Sequence, residues 1–501
     1  MTVHTSAFEP VPTLEAFSFR RRDGGDRRQT PDQQSRRHLK SGDSDILFVA
    51  LGGCGRVGMN MSVYGHAGKW LIVDCGVSFA DEDQTPGIKS FMPDPTFLEE
   101  RASDIVGLVI THAHEDHIGA IQHLWKRLRC PIYATPFAAA IITERLREHR
   151  LARDVPLRRF AVGGSFQAGP FSVRSIATTH SVPEPVMLDI TTGAGTILHT
   201  GDWKFDPDPL VGSVTDEAAL VQTSAKRVLA LVCDSTNAGV EGKTGSEAHT
   251  TVGFDLAFQG RTGAIAVACF ASNIARLKAV ALAAKAHGRR VALSGRSLLR
   301  MSQVARSLGY LDDVPEFLSD AEASSLPRRD LVIVCTGTQG EERAALSRLA
   351  HGAHRALTLT AGDTVIFSAR RIPGNEERID EIQALLRARK IEVLTPSDGP
   401  VHVSGHPARQ DLERLYGLVC PQAVIPVHGT PEHLEVHARF ALAHGVLQAP
   451  VPQDGSVLRI SQSGVSEAGQ VKSGILAHDG KTVFPWTPEM KELYSPADAA
   501  E

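Results

Sequence analysis

The chain has 501 residues, 42% hydrophobic and 22% charged, which is too long for one core and too ordinary in composition for wholesale disorder, a collagen-like repeat or a coiled coil. Its 53 basic and 57 acidic residues leave a formal charge of -4, so any attraction for nucleic acid has to come from a local site and not from bulk charge. Seven dispersed cysteines, never spaced as CxxC, argue for buried free thiols against disulfides or cysteine-zinc sites; no apolar stretch of membrane-spanning length and no apolar leader is present, so the chain is expected to be cytoplasmic.

The first forty residues lack apolar periodicity, and between Arg20 and Lys40 eight basic residues face Asp23, Asp26 and Asp32. Residues 1–40 are therefore expected to be a disordered basic tail, either simply solvated or tethering RNA or an acidic partner. Order is expected from about Asp45. Residues 46–51, 69–73 and 106–111 read as short apolar strands, and helical periodicity follows over 118–128 and 138–149. Further strands over 171–176, 195–199 and 228–233, with few long helices among them, imply sheets packed on one another with helices outside. From about Gly245 the pattern changes. Strands over 264–269, 290–293, 331–335 and 363–367 alternate with helical stretches over 273–287 and 376–389, the βαβ signature of a parallel sheet. Residues 422–427 form one more strand, and a polar segment closes the chain from about Gln470.

Gly53, Gly55 and Gly58 spell GxGxxG after the first strand, with Asp74 further on. A dinucleotide fold needs a crossover helix between its first two strands, and the few residues between Gly58 and Trp70, which include Gly65 and Gly68, leave no room for one. No nucleotide cofactor is expected; the glycines read as a tight turn at the mouth of a site, joined to a hairpin.

The strongest chemical signal is the run Thr111-His112-Ala113-His114-Glu115-Asp116-His117 between a buried strand and a helix. Imidazole and carboxylate donors suit Zn²⁺ and similar ions, and a strand-to-helix loop can aim them to one side. His180, Asp202 in HTGD and His428 in PVHG each end a short apolar run before a turn. With His112, His114, Asp116 and His117 they make seven ligands, and if Asp202 bridges, two divalent ions receive four protein ligands each. Two such ions clamp the attacking and leaving oxygens of a phosphoryl displacement, so hydrolysis fits better than redox chemistry. Asp74, at the end of its strand, is expected to hold either the nucleophilic water or a ligand histidine.

DCG, HAHEDH, His180 and HTGD resemble, in order, the motifs of the metallo-β-lactamase superfamily. CDSTN (233–237), FASN (270–273), GTQGE (337–341), IPGNE (372–376), HVSGH (402–406) and PVHG (426–429) resemble its β-CASP branch and, within it, the bacterial ribonuclease J family. The resemblance covers about 45–458. It implies an α/β fold, an αββα metallo-β-lactamase sandwich (41–244 and 395–465) interrupted by an inserted β-CASP domain with a parallel sheet (245–394), then a C-terminal tail (466–501). It also implies His112, His114, His180 and Asp202 on one metal and Asp116, His117, Asp202 and His428 on the other, zinc first and manganese as the alternative. Asp234 and His406 would act beside the scissile phosphate, His402 and Ser404 would hold an RNA phosphate, and Ser272, Asn273 and Arg276 would line the RNA-contacting edge. Only 73 residues follow His428, so the family's small C-terminal domain is expected to be missing or vestigial. That leaves a homodimer in doubt.

The expected activity is metal-dependent hydrolysis of single-stranded RNA, from the 5′ end and also internally. Low aromatic content, 6%, points to RNA held by phosphate contacts more than by stacking. A small-molecule thioester or lactone hydrolase of the same superfamily would leave HVSGH and the inserted domain without a task. A non-catalytic RNA-binding partner of an active paralogue would be expected to lose ligand positions, and all seven are filled.

Overall fold

The structure is a computed structural model that describes residues 42–81, 84–372, 374–487 and 489–490, so the basic tail expected at 1–40 lies outside the described residues. Strand Ile46–Gly52, buried throughout, pairs antiparallel with Met61–His66, which returns as Lys69–Val73 through left-handed Ala67 and Gly68. This is the hairpin expected after the glycine turn. Parallel strands Ile105–Val109, Ile132–Ala134 and Leu157–Arg159 extend the sheet on one side, and Ser456–Ser461 and Gly464–Gln470 on the other, making eight strands.

A second sheet has six strands in the order Val424–Val427, Val228–Asp234, Gly195–His199, Val186–Thr192, Phe171–Ala177 and Ser165–Ala168. Because side chains alternate along a strand, Phe48, Ala50, Leu71 and Val73 of the first sheet share one core with Leu188, Ile190, Ile197, Val232 and Ile425 of the second. The opposite face of the second sheet presents Met187, Leu198, Leu231 and Cys233 to Leu220, Leu412, Leu415 and Ala441 of helices Glu217–Ser224, Arg409–Val419 and Pro431–Ala443. Helix Pro136–Glu148 packs on the outer strands of the first sheet. The layers are αββα. Each fully buried Leu, Ile or Phe contributes roughly 1.5–3 kcal/mol, which is what fixes the two sheets face to face.

Between Val228–Asp234 and Val424–Val427 the chain builds a separate parallel sheet, in the order Arg290–Ser294, Leu331–Cys335, Ile265–Ala268, Thr364–Phe367 and Glu392–Leu394. Its crossover helix Ile274–Ala286 starts at Asn273, whose side chain accepts a hydrogen bond from the Arg276 backbone N–H. When the chain returns, Val427 lies in register beside Asp234 on parallel strands. That pairing brings residues nearly two hundred positions apart to the same sheet end.

Two elements differ from expectation. The helix expected over 118–128 is split into Glu115–Ile118 and Ile121–Leu128. Gly119 falls at the break, where a Cβ would meet the Glu115 carbonyl oxygen at 2.5 Å and the Val77 side chain at 2.6 Å. The C-terminal segment read as a tail contains the edge strand Gly464–Gln470 and the hairpin Ile475–His478 and Val483–Trp486, docked by pairing Ile475–His478 with Ser90–Pro93. Six cysteines are buried and free, and Cys420, at a left-handed helix end, is exposed. Among the described residues no helix is long and apolar enough to cross a membrane.

Candidate metal centre

The seven expected ligands meet at one end of the sandwich, each just beyond or near a strand end. His112 to His117 follow Ile105–Val109, His180 follows Phe171–Ala177, Asp202 follows Gly195–His199 and His428 follows Val424–Val427. Asp74 and His428 take left-handed backbone, φ 65 and 57, which turns their side chains off the strand axis into the site.

His112 Nε2 and His180 Nε2 each lie 3.1 Å from His114 Nδ1. The opposite ring nitrogens set the tautomers. His180 Nδ1 donates to the Gly405 carbonyl at 2.7 Å. The Thr111 hydroxyl proton goes to Asp74 Oδ2, so the hydroxyl accepts from His112 Nδ1 at 3.0 Å. Bare lone pairs on His112 and His180 thus both face His114 Nδ1, whose single proton in one tautomer serves only one of them at full strength, whereas a cation among the three rings serves all.

The second group repeats the logic. His117 Nδ1 donates to Asp74 Oδ2 at 2.7 Å, leaving Nε2 toward Asp202 Oδ1 at 3.3 Å and Asp116 Oδ2 at 3.6 Å. His428 Nδ1 donates to the Thr236 hydroxyl, which in turn donates a hydrogen bond to Asp234, and His428 Nε2 lies 3.1 Å from Asp116 Oδ2. Asp202 stands between the groups. Its Oδ2 is 3.8 Å from His112 Nε2 and 3.7 Å from His180 Nε2, while Oδ1 faces His117 and His428. That Oδ1 is buried and makes no hydrogen bond among the described residues. A buried carboxylate oxygen left unpaired is costly, and a divalent cation removes the cost, so the donor set fits two metal ions with Asp202 shared. The four donors of each set lie within 4.8 Å of one another.

Burial pushes His112 and His180 well below the usual imidazole range, and neighbouring histidines push the same way; burial brings His114 down to about 4. Burial would raise Asp202, but His428 and His117 outweigh it and hold the carboxyl well below its ordinary value. In the first group, histidines without protons beside an ionised carboxylate are the protonation states metal binding requires; in the second, burial is outweighed by Asp202 and the neighbouring carboxylates, which hold His117 and His428 well above the usual imidazole range, so a cation bound there displaces their protons.

His406 lies next to this centre. Its Nδ1 donates to Asp234 Oδ2 at 2.8 Å, and Asp234 Oδ1 accepts from the Thr236 N–H and hydroxyl. Burial lowers the His406 pKa, but the charge of Asp234 and its hydrogen bond raise it above the ordinary value. Asp202, Asp234, His406 and His428 also lie within 4.8 Å of one another, so proximity alone does not separate His406 from the ligands. The loop carrying it is anchored at Gly405, where a Cβ would stand 2.7 Å from the His180 ring. Ser404 accepts from Asn237 at 2.8 Å, and the His406 carbonyl accepts from the Thr244 hydroxyl at 2.7 Å.

The expected RNA-contacting set is divided by burial. Arg276 is fully buried and makes a salt bridge to Glu247 at 3.1 Å. It also donates to the Ser368 and Val401 carbonyls and approaches His402 Nδ1 at 3.2 Å. It braces the 401–403 segment from beneath and cannot touch RNA. Asn273 is a buried helix cap, and only Ser272 of that trio is partly exposed. Burial first, then the positive charges of Arg276, Lys204 and Arg370, lower His402 to about 3, so it is a neutral ring in cationic surroundings. Asp74 spends its carboxylate on the Thr111 N–H, the Thr111 hydroxyl and His117. Of the two roles expected for it, positioning the histidine is the one its contacts make. Sequence reasoning missed Asn60, whose amide reaches His117 Nε2 at 3.0 Å and the Asp116 carbonyl at 3.1 Å, and exposed Arg370, which donates to Asn237 at 2.8 Å. Asn60 follows the glycine turn closely, and that adjacency was the available signal.

Three family models match the chain: the metallo-beta-lactamase superfamily over 54–234, the ribonuclease J beta-CASP domain over 262–386, and the Zn-dependent metallo-hydrolase RNA specificity domain over 400–446. Ribonuclease J of Sinorhizobium meliloti is 40% identical over 450 residues, covering 89% of this chain and 80% of that protein. Ribonuclease J of Mycolicibacterium smegmatis is 43% identical over 423 residues, covering 84% and 74%. A crystal structure of a protein of unknown function from Enterococcus faecalis V583 aligns with a TM-score of 0.58 at 15% identity, over 83% of this chain and 100% of that one, a likeness of fold alone.

Proposed function

The chain belongs to the ribonuclease J family, and from that premise we propose that this centre hydrolyses single-stranded RNA from its 5′ end and also cuts internally. Metal-dependent RNA hydrolysis is its activity. The observation that carries the finer reading is Asp202, a buried carboxylate whose two oxygens face two separate sets of imidazole nitrogens. Two divalent ions held there would stabilise charge on both the attacking and leaving oxygens of the phosphoryl displacement. Imidazole and carboxylate donors favour zinc, with manganese as the alternative.

The protein's own residues do the rest. Asp74, Thr111, Thr236 and the Gly405 carbonyl fix four histidine rings before substrate arrives. His406, its Nδ1–H tied to Asp234 and its side chain 22% exposed, has Nε2 available to donate a proton to the leaving oxygen. His402 and Ser404 lie on the loop that ends in His406, beside Arg370, and take an RNA phosphate there. The same proposal places the protein in the cytoplasm; light scattering in solution reads whether it pairs as a homodimer.

Because the loop proposed to hold the phosphate also carries His406, a 5′ phosphate bound there would lie close to the cut bond. RNA with a 5′-monophosphate is therefore expected to be degraded faster than the same RNA with a 5′-triphosphate. Matched substrates labelled at either end test this: stepwise release of nucleotides from the monophosphate end supports the reading. Equal rates with internal products only would remove the 5′ pocket and leave an endonuclease.

A further inference from the structure

A second histidine cluster lies away from the catalytic centre. His123 is on helix Ile121–Leu128, His149 closes helix Pro136–Glu148, and His478 ends strand Ile475–His478. The His123 ring is centred 4.3 Å from His478 and 5.5 Å from His149. Those separations bracket the 4.7 to 5.0 Å among His112, His114 and His180. Among the described residues the contacts of these three rings are with one another.

Three imidazoles from three separate segments, packed against one another, are a poor use of polar surface and a good use of ligands. We propose that His123, His149 and His478 form a surface site for one divalent transition metal ion of the zinc class, with water completing four ligands. Burial, then His478, His149 and Arg145, lower His123 to about 4, and burial, opposed by Asp479 but aided by His149, lowers His478. Both rings are thus neutral and able to coordinate near pH 7. Asp479 is not a ligand, because its carboxylate accepts from the Lys481 and Thr482 N–H groups and the Thr482 hydroxyl. The donor atoms do not all converge as they do in the catalytic centre, and closing the set requires His149, exposed at a helix end, to turn toward the other two rings. An ion there pins the C-terminal hairpin to two helices of the sandwich. Arg145 on one of those helices pairs with Glu115 of the catalytic loop.

The test uses the full chain loaded with zinc, freed of excess by gel filtration and measured by elemental analysis. His149→Asn and His478→Asn should each carry one zinc fewer per chain than the parent, with RNA hydrolysis unchanged. Zinc added to the parent should raise its thermal midpoint through this site, and the variants should lose that increment. The difference between parent and variant reads this site whatever number the catalytic centre holds. Equal zinc content in the parent and the folded His149→Asn variant, whose substituted residue is exposed, would overturn the proposal.

Discussion

Asp202→Asn is expected to empty the catalytic centre of both metal ions and to abolish RNA hydrolysis while leaving the fold intact. Asn keeps the shape of the side chain but replaces one carboxylate oxygen by an amide nitrogen, which carries no negative charge and points protons at one set of imidazoles. Both groups should be affected because each set of imidazoles faces a different oxygen of the same carboxylate. Losing one preorganised stabilising donor costs on the order of 10² to 10³ in rate, and if Asp202 is shared by two cations this substitution removes an anchor from both, so the loss should exceed that range. Metal content and single-turnover rate on one preparation check it. Retention of two ions with a modest rate loss would mean that Asp202 does not bridge.

The next largest effect separates His406 from His428, whose rings stack 5.6 Å apart. His428→Ala removes a donor aimed at Asp116 and should lower occupancy of the second ion, with added metal restoring only part of the activity. His406→Ala should keep both ions and RNA affinity within several-fold, yet lose roughly 10² to 10⁴ in rate, the usual worth of a positioned proton donor. Asp234→Asn should lose part of that factor, because Asn at this position no longer supplies the charge that raises the His406 pKa. Metal analysis, RNA binding and single-turnover kinetics on the three variants distinguish the roles. Loss of metal from His406→Ala with two ions kept in His428→Ala would reverse the assignment, and the third cluster, Asp202, Asp234, His406 and His428, would become the ligand set.

The metal centre was legible in the sequence because its information is chemical and local. Three histidines and an aspartate in six residues after a buried strand have no packing purpose, and His180, Asp202 and His428 stand in turns at the ends of apolar runs. The alternation of strands and helices after Gly245 announced a parallel sheet for a similar reason, since its periodicity lies within each segment. What stayed hidden depends on partners far along the chain. Arg276 reads as a surface cation until Glu247 and the 401–403 carbonyls close around it. Removing one partner of so buried a pair costs about 3–5 kcal/mol, so a substitution there reports stability before it reports RNA contact. The C-terminal hairpin escaped notice because Ile475–His478 has only four residues and its pairing partner, Ser90–Pro93, is equally short and distant. Asp74 stands at a strand end in sequence and structure alike, but only its three hydrogen bonds decide that it orients His117.

A binuclear centre driving RNA hydrolysis should respond to metal titration of chelator-stripped protein, followed by hydrolysis of a 5′-monophosphorylated, end-labelled RNA. With His149→Asn as the background, so that only the catalytic ligands remain, activity should be absent without metal and should rise to a plateau at two equivalents of zinc or manganese per chain. Hydrolysis by the metal-free protein, or a plateau at one equivalent, would contradict it.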